Sequence, residues 1–434
     1  MERSLRTRRP VSVFVMNMAV GDIFLIAEYV TKCVACVRQT GTALRLPRGF
    51  GPRLAASSST QPTVNLPAAL FPSRPSRRRA LQQGAGLAAM AALGGCANTA
   101  GPREDARSGA GTVRTPQEFG AVGNGVADDT AAFRAAGARL GDFIRVPPGR
   151  YVIKGTIDVL SGQTWQLENA EILHAGPGPA FKATYASDWA LLGPGRLAGA
   201  GRKRTATENI GLLVEGGKRY RVSRLQFSRF AQAGMVVTVV GAAFSDVVPR
   251  GDRGQMSDLG FNECATGVDV QAATGAEYNV FTNTAVTDCD VGIIASAGNT
   301  QFVGGNVTDC VTGISLNIGH NNSHGGFHAF NVNHCAQYSV HANGVTNGHT
   351  FIGCNFYSDR PAAGIIFLQD SKGILFQGCQ IDCAVIADGK FGSNYLLNNT
   401  VAGANFRIGS NKGDQDRIVC RNNFRFDGTD ACVP

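Results

Sequence analysis

Residues 286–293 read Val-Thr-Asp-Cys-Asp-Val-Gly-Ile, and the pattern returns at residues 307–314 as Val-Thr-Asp-Cys-Val-Thr-Gly-Ile. Related segments occupy residues 261–268 and 332–339, so that one cysteine recurs every 21 to 25 residues. Self-similarity at this period is typical of repeat architectures, in which each unit packs only against its neighbours. The chain therefore contains one long solenoid rather than several unrelated domains.

An apolar anchor precedes each of these segments, at spacings of 25, 21, 25, 24 and 25 residues: Met256, Phe281, Phe302, Phe327, Phe351 and Phe376. Trp165 and Trp189, 24 residues apart, predict the start of two weaker units. Short runs rich in Val, Ile, Phe and Thr alternate apolar with polar residues and end at Gly, Asn or Asp, which indicates strands and turns. Three short strands per unit, stacked many times, predict an all-β fold, a single-stranded parallel β-helix.

Stacking converts the repeats into columns of equivalent residues about 4.8 Å apart. The cysteines are expected to point inward as a ladder: Cys264, Cys289, Cys310 and Cys335. A second column is expected to form an amide ladder: Asn306, Asn331, Asn355 and Gln380. The chain has 12 cysteines but no paired CxxC motifs, so buried packing is favoured over zinc or a disulfide scaffold. Cys420 and Cys432 are the candidates for a terminal disulfide.

The net charge of +9 is confined to the N-terminal region. Residues 1–96 hold 13 Lys and Arg against 3 Asp and Glu, whereas residues 97–434 hold 28 against 29. The body is thus close to neutral, which argues against nucleic acid as a partner. The sequence has no uncharged apolar stretch of 18 residues, so a polytopic membrane protein is also disfavoured.

The basic region ends in a segment that resembles a bacterial twin-arginine lipoprotein signal. Residues 76–96 contain an arginine run, a short apolar stretch and a terminal Leu-Gly-Gly-Cys, with Cys96 at the position that would be lipidated. Residues 1–75 are interpreted as an over-extended or disordered leader, and residues 97–112 as a flexible tether. The β-helix domain is then expected over residues 113–434. This resemblance implies an exported protein, periplasmic or anchored in a membrane only through lipid, with the cell surface as a further location.

The start of the body carries a second resemblance. Residues 119–133 read Phe-Gly-Ala-Val-Gly-Asn-Gly-Val-Ala-Asp-Asp-Thr-Ala-Ala-Phe, and residues 146–153 read Val-Pro-Pro-Gly-Arg-Tyr-Val-Ile. They closely resemble the opening of the pectate-lyase-like superfamily, which includes rhamnogalacturonase, glycosyl-hydrolase-28-related and phage tailspike β-helices. The resemblance implies a right-handed parallel β-helix that acts on polysaccharide. Asp128 and Asp129 are expected to cap a short N-terminal helix that covers the first coil.

The motifs of a polygalacturonase-type hydrolase are incomplete in this chain. Asn283-Thr284 is followed by Ala285 where the family motif has Asp, and Gly319-His320 is followed by Asn321. The catalytic set of that enzyme class is therefore not carried over. A lyase, a glycoside hydrolase and a non-catalytic polysaccharide-binding protein all remain open, as does the oligomeric state, with a trimer among the alternatives.

A cluster of histidines offers the strongest candidate site. Six of the seven lie between residues 320 and 349, while residues 254–359 contain no Lys or Arg. His328 follows the inward Phe327, so it is expected to point outward above Gln377 in the same column. The candidate catalytic residues are His328, His324, His349, Asp370 and Glu277. The candidate substrate-binding residues are His320, Asn322, Gln377, Lys372 and Arg253.

Imidazole suits the base of a uronate lyase because it titrates near neutral pH, whereas a hydrolase needs two carboxylates. The alternative is a solvated loop rich in His and Asn that has no catalytic role. No cofactor is required by either chemistry. Calcium is a candidate ligand of a further column, Glu263, Asp288 and Asp309, which His334 continues, although plain solvation of these acids is the simpler expectation.

Overall fold

A computed structural model gives the structure of residues 112–202, 209–239, 253–271, 276–317, 324–345, 348–360, 363–388, 393–401 and 418–432. These residues belong to one compact unit, Gly101–Pro434. The leader, the twin-arginine segment, Cys96, His320 and Asn322 lie outside the described residues, so the expectations for them stay predictions. Within the described part of the chain, no helix is long and apolar enough to cross a membrane.

The described residues form one 3₁₀ helix, Pro116–Phe119, one α-helix, α1 (Thr130–Ala136), and many short strands. The first coils contain β1 (Val113–Arg114), β2 (Asn124–Asp128), β3 (Phe143–Val146), β4 (Arg150–Ile153), β5 (Ile157–Asp158), β6 (Thr164–Leu167), β7 (Ala170–His174), β8 (Gly178–Thr184), β9 (Ala190–Gly199) and β10 (Asn209–Glu215). The middle coils contain β11 (Arg221–Ser228), β12 (Ala233–Thr238), β13 (Gln255–Asn262), β14 (Thr266–Val270), β15 (Val280–Thr287), β16 (Val291–Ala295), β17 (Gln301–Thr308) and β18 (Thr312–Leu316). The last coils contain β19 (Gly326–His328), β20 (Asn331–Asn333), β21 (Tyr338–Asn343), β22 (Thr350–Ile352), β23 (Asn355–Tyr357), β24 (Ile365–Gln369), β25 (Leu375–Gln377), β26 (Gln380–Asp382), β27 (Val385–Asp388), β28 (Asn394–Leu397), β29 (Thr400–Val401), β30 (Ile418–Arg421) and β31 (Phe424–Arg425).

These strands stack in parallel on three faces, so the predicted right-handed parallel β-helix is confirmed. Face A contains the strands that begin each coil, such as β19, β22 and β25. Face B contains β20, β23, β26 and their equivalents, and β9, β11, β13, β15 and β17 each bend across faces A and B. Face C is a separate sheet of ten strands: β5, β8, β10, β12, β14, β16, β18, β21, β24 and β27.

The predicted aromatic column is confirmed inside face A. Met256 and the five phenylalanines after it pair in register from β13 to β25. Between Phe281 and Phe376 neighbouring rings stack with centroids 4.5 to 5.2 Å apart, and every ring is buried. The two tryptophans lie at the start of two early coils, as predicted, but not in one column: Trp165 pairs with Leu191, while Trp189 lies at the corner before β9 and stacks on Tyr220.

The predicted thiol ladder is confirmed as well. Cys264, Cys289, Cys310 and Cys335 are free, buried and placed at the same corner, between faces B and C. Each Sγ lies 3.4 to 3.7 Å from the carbonyl oxygen two residues earlier, which gives these thiols a weak polar partner. Burial raises the pKa of Cys335 to about 12, so that thiol stays protonated and unreactive at neutral pH.

Two amide columns run along the coils. The predicted one, from Asn306 to Gln380, is in register on the outside of face B, and Asn355 donates to Asn331 over 2.7 Å. A second column lies inside the A–B corner, where Asn423 Oδ1 accepts from the Asn399 side chain at 2.8 Å and from its backbone N–H at 2.9 Å. This inner column satisfies polar groups that the strand bonds leave over.

Different structural features lie at the two ends of the β-helix domain: a short helix at the N-terminal end and a disulfide at the C-terminal end. At the N-terminus α1 buries Ala132, Phe133 and Ala136, and the Phe133 ring packs on Trp165 at 6.2 Å. The roles of the two acids differ from the prediction. Asp129 is the N-cap residue of α1, but its carboxylate accepts from the backbone N–H groups of residues 122 and 123 and not from the helix, while Asp128 accepts from the Thr130 backbone N–H. At the C-terminus the disulfide Cys420–Cys432 is present, which confirms that candidate pair.

Candidate functional site

His328 lies where the alternation predicted it, on the outside of face A at the end of β19. Its column contains Val303 before it and Ile352 and Gln377 after it. The His328 Nε2 atom is 2.8 Å from Gln301 Oε1. Because an amide oxygen only accepts, Nε2 carries the proton, and Nδ1 holds the free lone pair of the neutral ring.

Gln301 also fixes the corner that leads into β19. Its Nε2 donates to the backbone carbonyl oxygen of His324 over 3.1 Å, so one amide side chain contacts the His328 ring and the His324 backbone. His324 itself is exposed and has a φ of 68°, in the left-handed region. Arg219, Arg253, Tyr278 and Asn299 occupy the same position in earlier coils with φ between 55° and 59°. This C–A corner therefore projects one side chain per coil.

His349 does not take part in a surface site, which corrects its assignment as a catalytic residue. The residue is only 1% exposed and lies inside the corner before β22. A Cβ atom on Gly325 would overlap the His349 ring, so the ring fills the space that the glycine leaves in the preceding coil. A polysaccharide on the outer surface cannot reach it.

The two predicted acids lie too far apart to act on one bond. Glu277 precedes β15 and is mostly buried, where it accepts a hydrogen bond from Asn299 over 3.2 Å. Asp370 precedes β25, four coils farther along, which is about 19 Å at 4.8 Å per coil. A hydrolytic pair requires carboxyl groups roughly 5 to 9.5 Å apart. The structure therefore excludes Glu277 and Asp370 as an acid pair.

Two of the residues predicted to bind substrate, Gln377 and Lys372, are exposed. Gln377 lies two coils from His328 in the same outward column, and Lys372 precedes β25 at the C–A corner. His328 and Gln377 thus share one surface, face A, and Lys372 lies at its margin. Both remain candidates for contact with a polymer that runs along the coils.

The structure reveals a basic groove at the start of face A that the sequence indicated only through Arg253. The groove has a volume of about 540 Å³. We call it the arginine groove and define it by the following residues: Thr164, Asp188, Arg219, Arg221, Arg253 and Gln255. A further indication of the groove in the sequence is the basic stretch of residues 218–224, in which Lys or Arg occupies four of seven positions.

Among the described residues, only Arg219 of the three groove arginines has a carboxylate partner. Arg219 donates through Nε and Nη2 to the two carboxylate oxygens of Asp188, each over 2.7 Å. These bonds lower the pKa of Asp188, which keeps the carboxylate ionised. Arg221 and Arg253 are exposed, and neither forms a salt bridge with any other described residue. The groove therefore offers two guanidinium groups to an anionic ligand.

The floor of the groove is rigid. Trp189 and Tyr220 are buried and stack with centroids 5.1 Å apart. The Tyr220 hydroxyl donates to Asn279 Oδ1 over 2.8 Å, and Asn279 also accepts from the Gly254 N–H at 2.9 Å. A Cβ atom at position 254 would overlap the tyrosine ring, so glycine is required there. The arginines are thus mounted on a preorganised base.

Asp269 is a further acid that the sequence did not single out. It lies on the outward side of β14 in face C, between the inward Val268 and Val270. Burial raises the pKa of Asp269, although Gln271 donates to its Oδ2 atom over 3.0 Å and opposes that effect. Burial thus favours the protonated form of this carboxyl group more than in an exposed aspartate.

The acidic column predicted at the B–C corner is present. Glu263, Asp288, Asp309 and His334 all adopt φ between 52° and 55° at the same position of successive coils. Arg202 reaches this column and pairs with Asp288 at 3.2 Å and with Asp290 at 2.5 Å. The described residues contain no group of three His, Cys, Asp or Glu that could hold a metal ion. Calcium binding stays a prediction.

Comparisons with known proteins agree on the fold. No protein-family model and no curated protein sequence matches the chain. The A-module of mannuronan C-5 epimerase AlgE6 from Azotobacter vinelandii matches with a TM-score of 0.55 and 14% identity, over 72% of this chain and 99% of that one. The A-module of AlgE4 from the same organism matches with a TM-score of 0.51 and 14% identity, over 71% and 100%. A tailspike double mutant of E. coli bacteriophage HK620, in complex with a pentasaccharide, matches with a TM-score of 0.50 and 11% identity, over 70% and 63%.

Proposed function

We propose that this protein binds an acidic, uronate-containing polysaccharide along face A. The arginine groove carries the proposal, because Arg221 and Arg253 present positive charge without a carboxylate partner among the described residues. Guanidinium groups bind carboxylates through paired hydrogen bonds, which suits the uronate groups of such a polymer. The fold is compatible with this ligand class, since two proteins that share it are named for mannuronan and a third holds a pentasaccharide.

The stacked coils would align the polymer with the groove. Arg221 is the first outward residue of β11, and Gln255 follows it in register on β13. Arg253 projects from the corner of that second coil, beside the Arg219–Asp188 pair. Successive carboxylates of an extended chain would therefore meet Arg221 and Arg253 in neighbouring coils about 4.8 Å apart.

The test is a binding titration with polygalacturonate and alginate. The Arg221→Gln, Arg253→Gln double variant is expected to weaken binding about tenfold, since exposed charged contacts contribute roughly 0.5 to 1 kcal/mol each. Arg224→Gln is the matched control, because Arg224 is exposed on the same coil but faces the A–B corner. Binding that is equally weak in the control, or unchanged in the double variant, would exclude the groove.

A second candidate function is cleavage of the same polymer by β-elimination. The observation that favours it is the outward His328 ring, whose Nδ1 atom is available to accept a proton while Gln301 holds Nε2. This base would remove the proton next to a uronate carboxylate. Product with the ultraviolet absorbance of an unsaturated uronate would report a lyase, and new reducing ends without that absorbance would report a hydrolase.

His328→Ala tests whether His328 is the base in the second candidate function, cleavage by β-elimination. A lyase that uses His328 loses about a hundredfold or more in turnover, because general base catalysis contributes about 10² to 10⁴. Unchanged turnover in this variant removes His328 from the mechanism. Retained binding with no product from any polysaccharide favours a non-catalytic binding protein, which the separation of Glu277 from Asp370 also supports.

We further propose that the chain is exported through the twin-arginine signal and lipidated at Cys96. The proposal is supported by the arginine run and the Leu-Gly-Gly-Cys sequence before the body. It also accounts for seven free buried cysteines, because a protein that folds before export does not need to pair them. Mass spectrometry of the native N-terminus tests it, and an unmodified peptide that spans residues 90–100 would contradict it.

A further inference from the structure

Three rings stack against one another on face C, far from the arginine groove in sequence. Tyr338 and His341 lie on β21, and Phe367 lies on β24 beside His341. The centroid distances are 4.8 Å from Tyr338 to His341, 5.9 Å from Tyr338 to Phe367 and 5.7 Å from His341 to Phe367, with interplanar angles of 17° to 24°. Each ring is thus close to both others, and the three centroids form a triangle. We call this group the aromatic platform.

The platform lies on the outside of the solenoid. Val340, Ala342 and Leu368 on the same strands are buried inside it, so the alternating residues His341 and Phe367 point outward. All three rings are half-buried. In the part of the chain that the structure describes, neither the Tyr338 hydroxyl nor the His341 ring nitrogens have a hydrogen-bond partner. These polar groups remain available to the hydroxyl groups of a ligand.

Polar, uncharged residues lie beside the rings on β18, β21 and β24. Ser315 precedes His341 in the same outward column, and Asn343 and Gln369 are paired in the next column. Residues 254–359 contain no Lys or Arg, so no cation from that stretch faces the rings. An acidic sugar would find no counter-charge from it at this surface. An uncharged ligand with an apolar face and a rim of hydroxyl groups fits the platform better.

We propose that the aromatic platform binds neutral pyranose units of a polysaccharide. The exposed parts of the stacked rings would pack against the C–H groups on the flat side of a pyranose, while Tyr338, His341 and Asn343 would bond its hydroxyl groups. The inference rests on the proposed function, because it assigns the uncharged units of the polymer to face C and the uronates to the arginine groove. It adds a binding site that the groove does not require.

The test is a calorimetric titration of the purified protein with cellohexaose, mannohexaose and maltohexaose. Tyr338→Ala and Phe367→Ala are each expected to weaken binding about tenfold, the size of effect seen for central aromatic contacts. Tyr395→Ala is the matched control, since this tyrosine is 38% exposed on face A. Phe367→Leu removes the ring but keeps an apolar side chain, so it is informative if Phe367→Ala fails to fold.

The outcomes separate this inference from the proposed function. Loss of oligosaccharide binding in Tyr338→Ala and Phe367→Leu, with polygalacturonate binding intact, supports the platform. Loss of polygalacturonate binding in the arginine double variant, with oligosaccharide binding intact, concerns only the groove. The platform proposal is overturned if the unmodified protein binds none of the three hexasaccharides, or if binding survives both ring substitutions.

Discussion

Removing one ring of the aromatic column is expected to destabilise the whole solenoid. Phe327 is fully buried and stacks on Phe302 at 4.7 Å and on Phe351 at 5.2 Å, so it has a partner on each side. A phenylalanine buries roughly 150 to 250 Å², and at about 25 cal/mol per Å² this corresponds to about 4 to 6 kcal/mol. Core Phe→Ala substitutions cost about 3 to 5 kcal/mol. We therefore expect Phe327→Ala to lower the free energy of unfolding by about 4 kcal/mol.

The assay is equilibrium unfolding in urea, followed by far-ultraviolet circular dichroism. Phe327→Leu, which refills most of the volume, should cost only about 1.5 kcal/mol. Phe426→Ala is the control, because its side chain is 67% exposed near the C-terminus. A loss below about 1.5 kcal/mol for Phe327→Ala, or an equal loss for the control, would refute the view that the column holds the coils together. Since His328 follows Phe327 directly, any polysaccharide cleavage should fall with stability.

Four further changes follow from the structure. Cys432→Ser should remove about 3 kcal/mol of stability in oxidising buffer, because the Cys420–Cys432 disulfide closes a loop with a sequence separation of 12. A variant as stable as the oxidised parent would contradict this stabilising role of the disulfide. Asp269→Asn should stabilise the protein at pH 7 but not near pH 3. Burial raises the folded-state pKa of Asp269, so the stability that the protonated acid contributes is lost as pH rises through that pKa. Equal effects of the substitution at both pH values would exclude this account. The protein should become less stable as pH falls below about 6.5, because burial lowers the folded-state pKa of His174 and the unfolded chain then binds more protons. His174→Gln should make stability depend less on pH, as measured by urea titrations at pH 5 and pH 7.5. Gly254→Ala should cost about 1 to 3 kcal/mol and weaken polygalacturonate binding, because the added methyl group overlaps Tyr220, whereas Ser257→Ala in the strand that follows, β13, should do neither.

The fold could be predicted where the repeats are regular. Cys289 and Cys310 mark the same corner of two coils because each is followed three residues later by a Gly-Ile pair, and the phenylalanines mark the inward position of face A. The tryptophans mark the start of two coils but do not share a column, because similar spacing does not guarantee an equal position in the coil. Trp189 lies two residues before the position that pairs with Trp165. The early coils lack a second repeating residue that would have fixed their register.

The candidate site was harder to predict because corners do not follow the alternation of strands. His328 was placed correctly, one residue after the inward Phe327. His349 lies two residues before Phe351, so the same alternation points it inward, and this signal was present in the sequence. Arg219 and Arg253 come together only because a left-handed residue recurs at each C–A corner, and the sequence does not show which residue that is.

The in-register stacking of coils also governs how the protein can change in length. The smallest segment that can be added or removed without breaking the register is one whole coil, because a partial insertion turns inward residues outward. The arginine groove on β11 and β13 and the aromatic platform on β21 and β24 are separated by intact coils of this kind. Duplicating one coil between them would move the two sites apart by a step of about 4.8 Å and leave the residues of both unchanged. The number of coils would therefore set the distance between the two sites. Related β-helices with more or fewer coils would match polymers with different spacing between charged and neutral units.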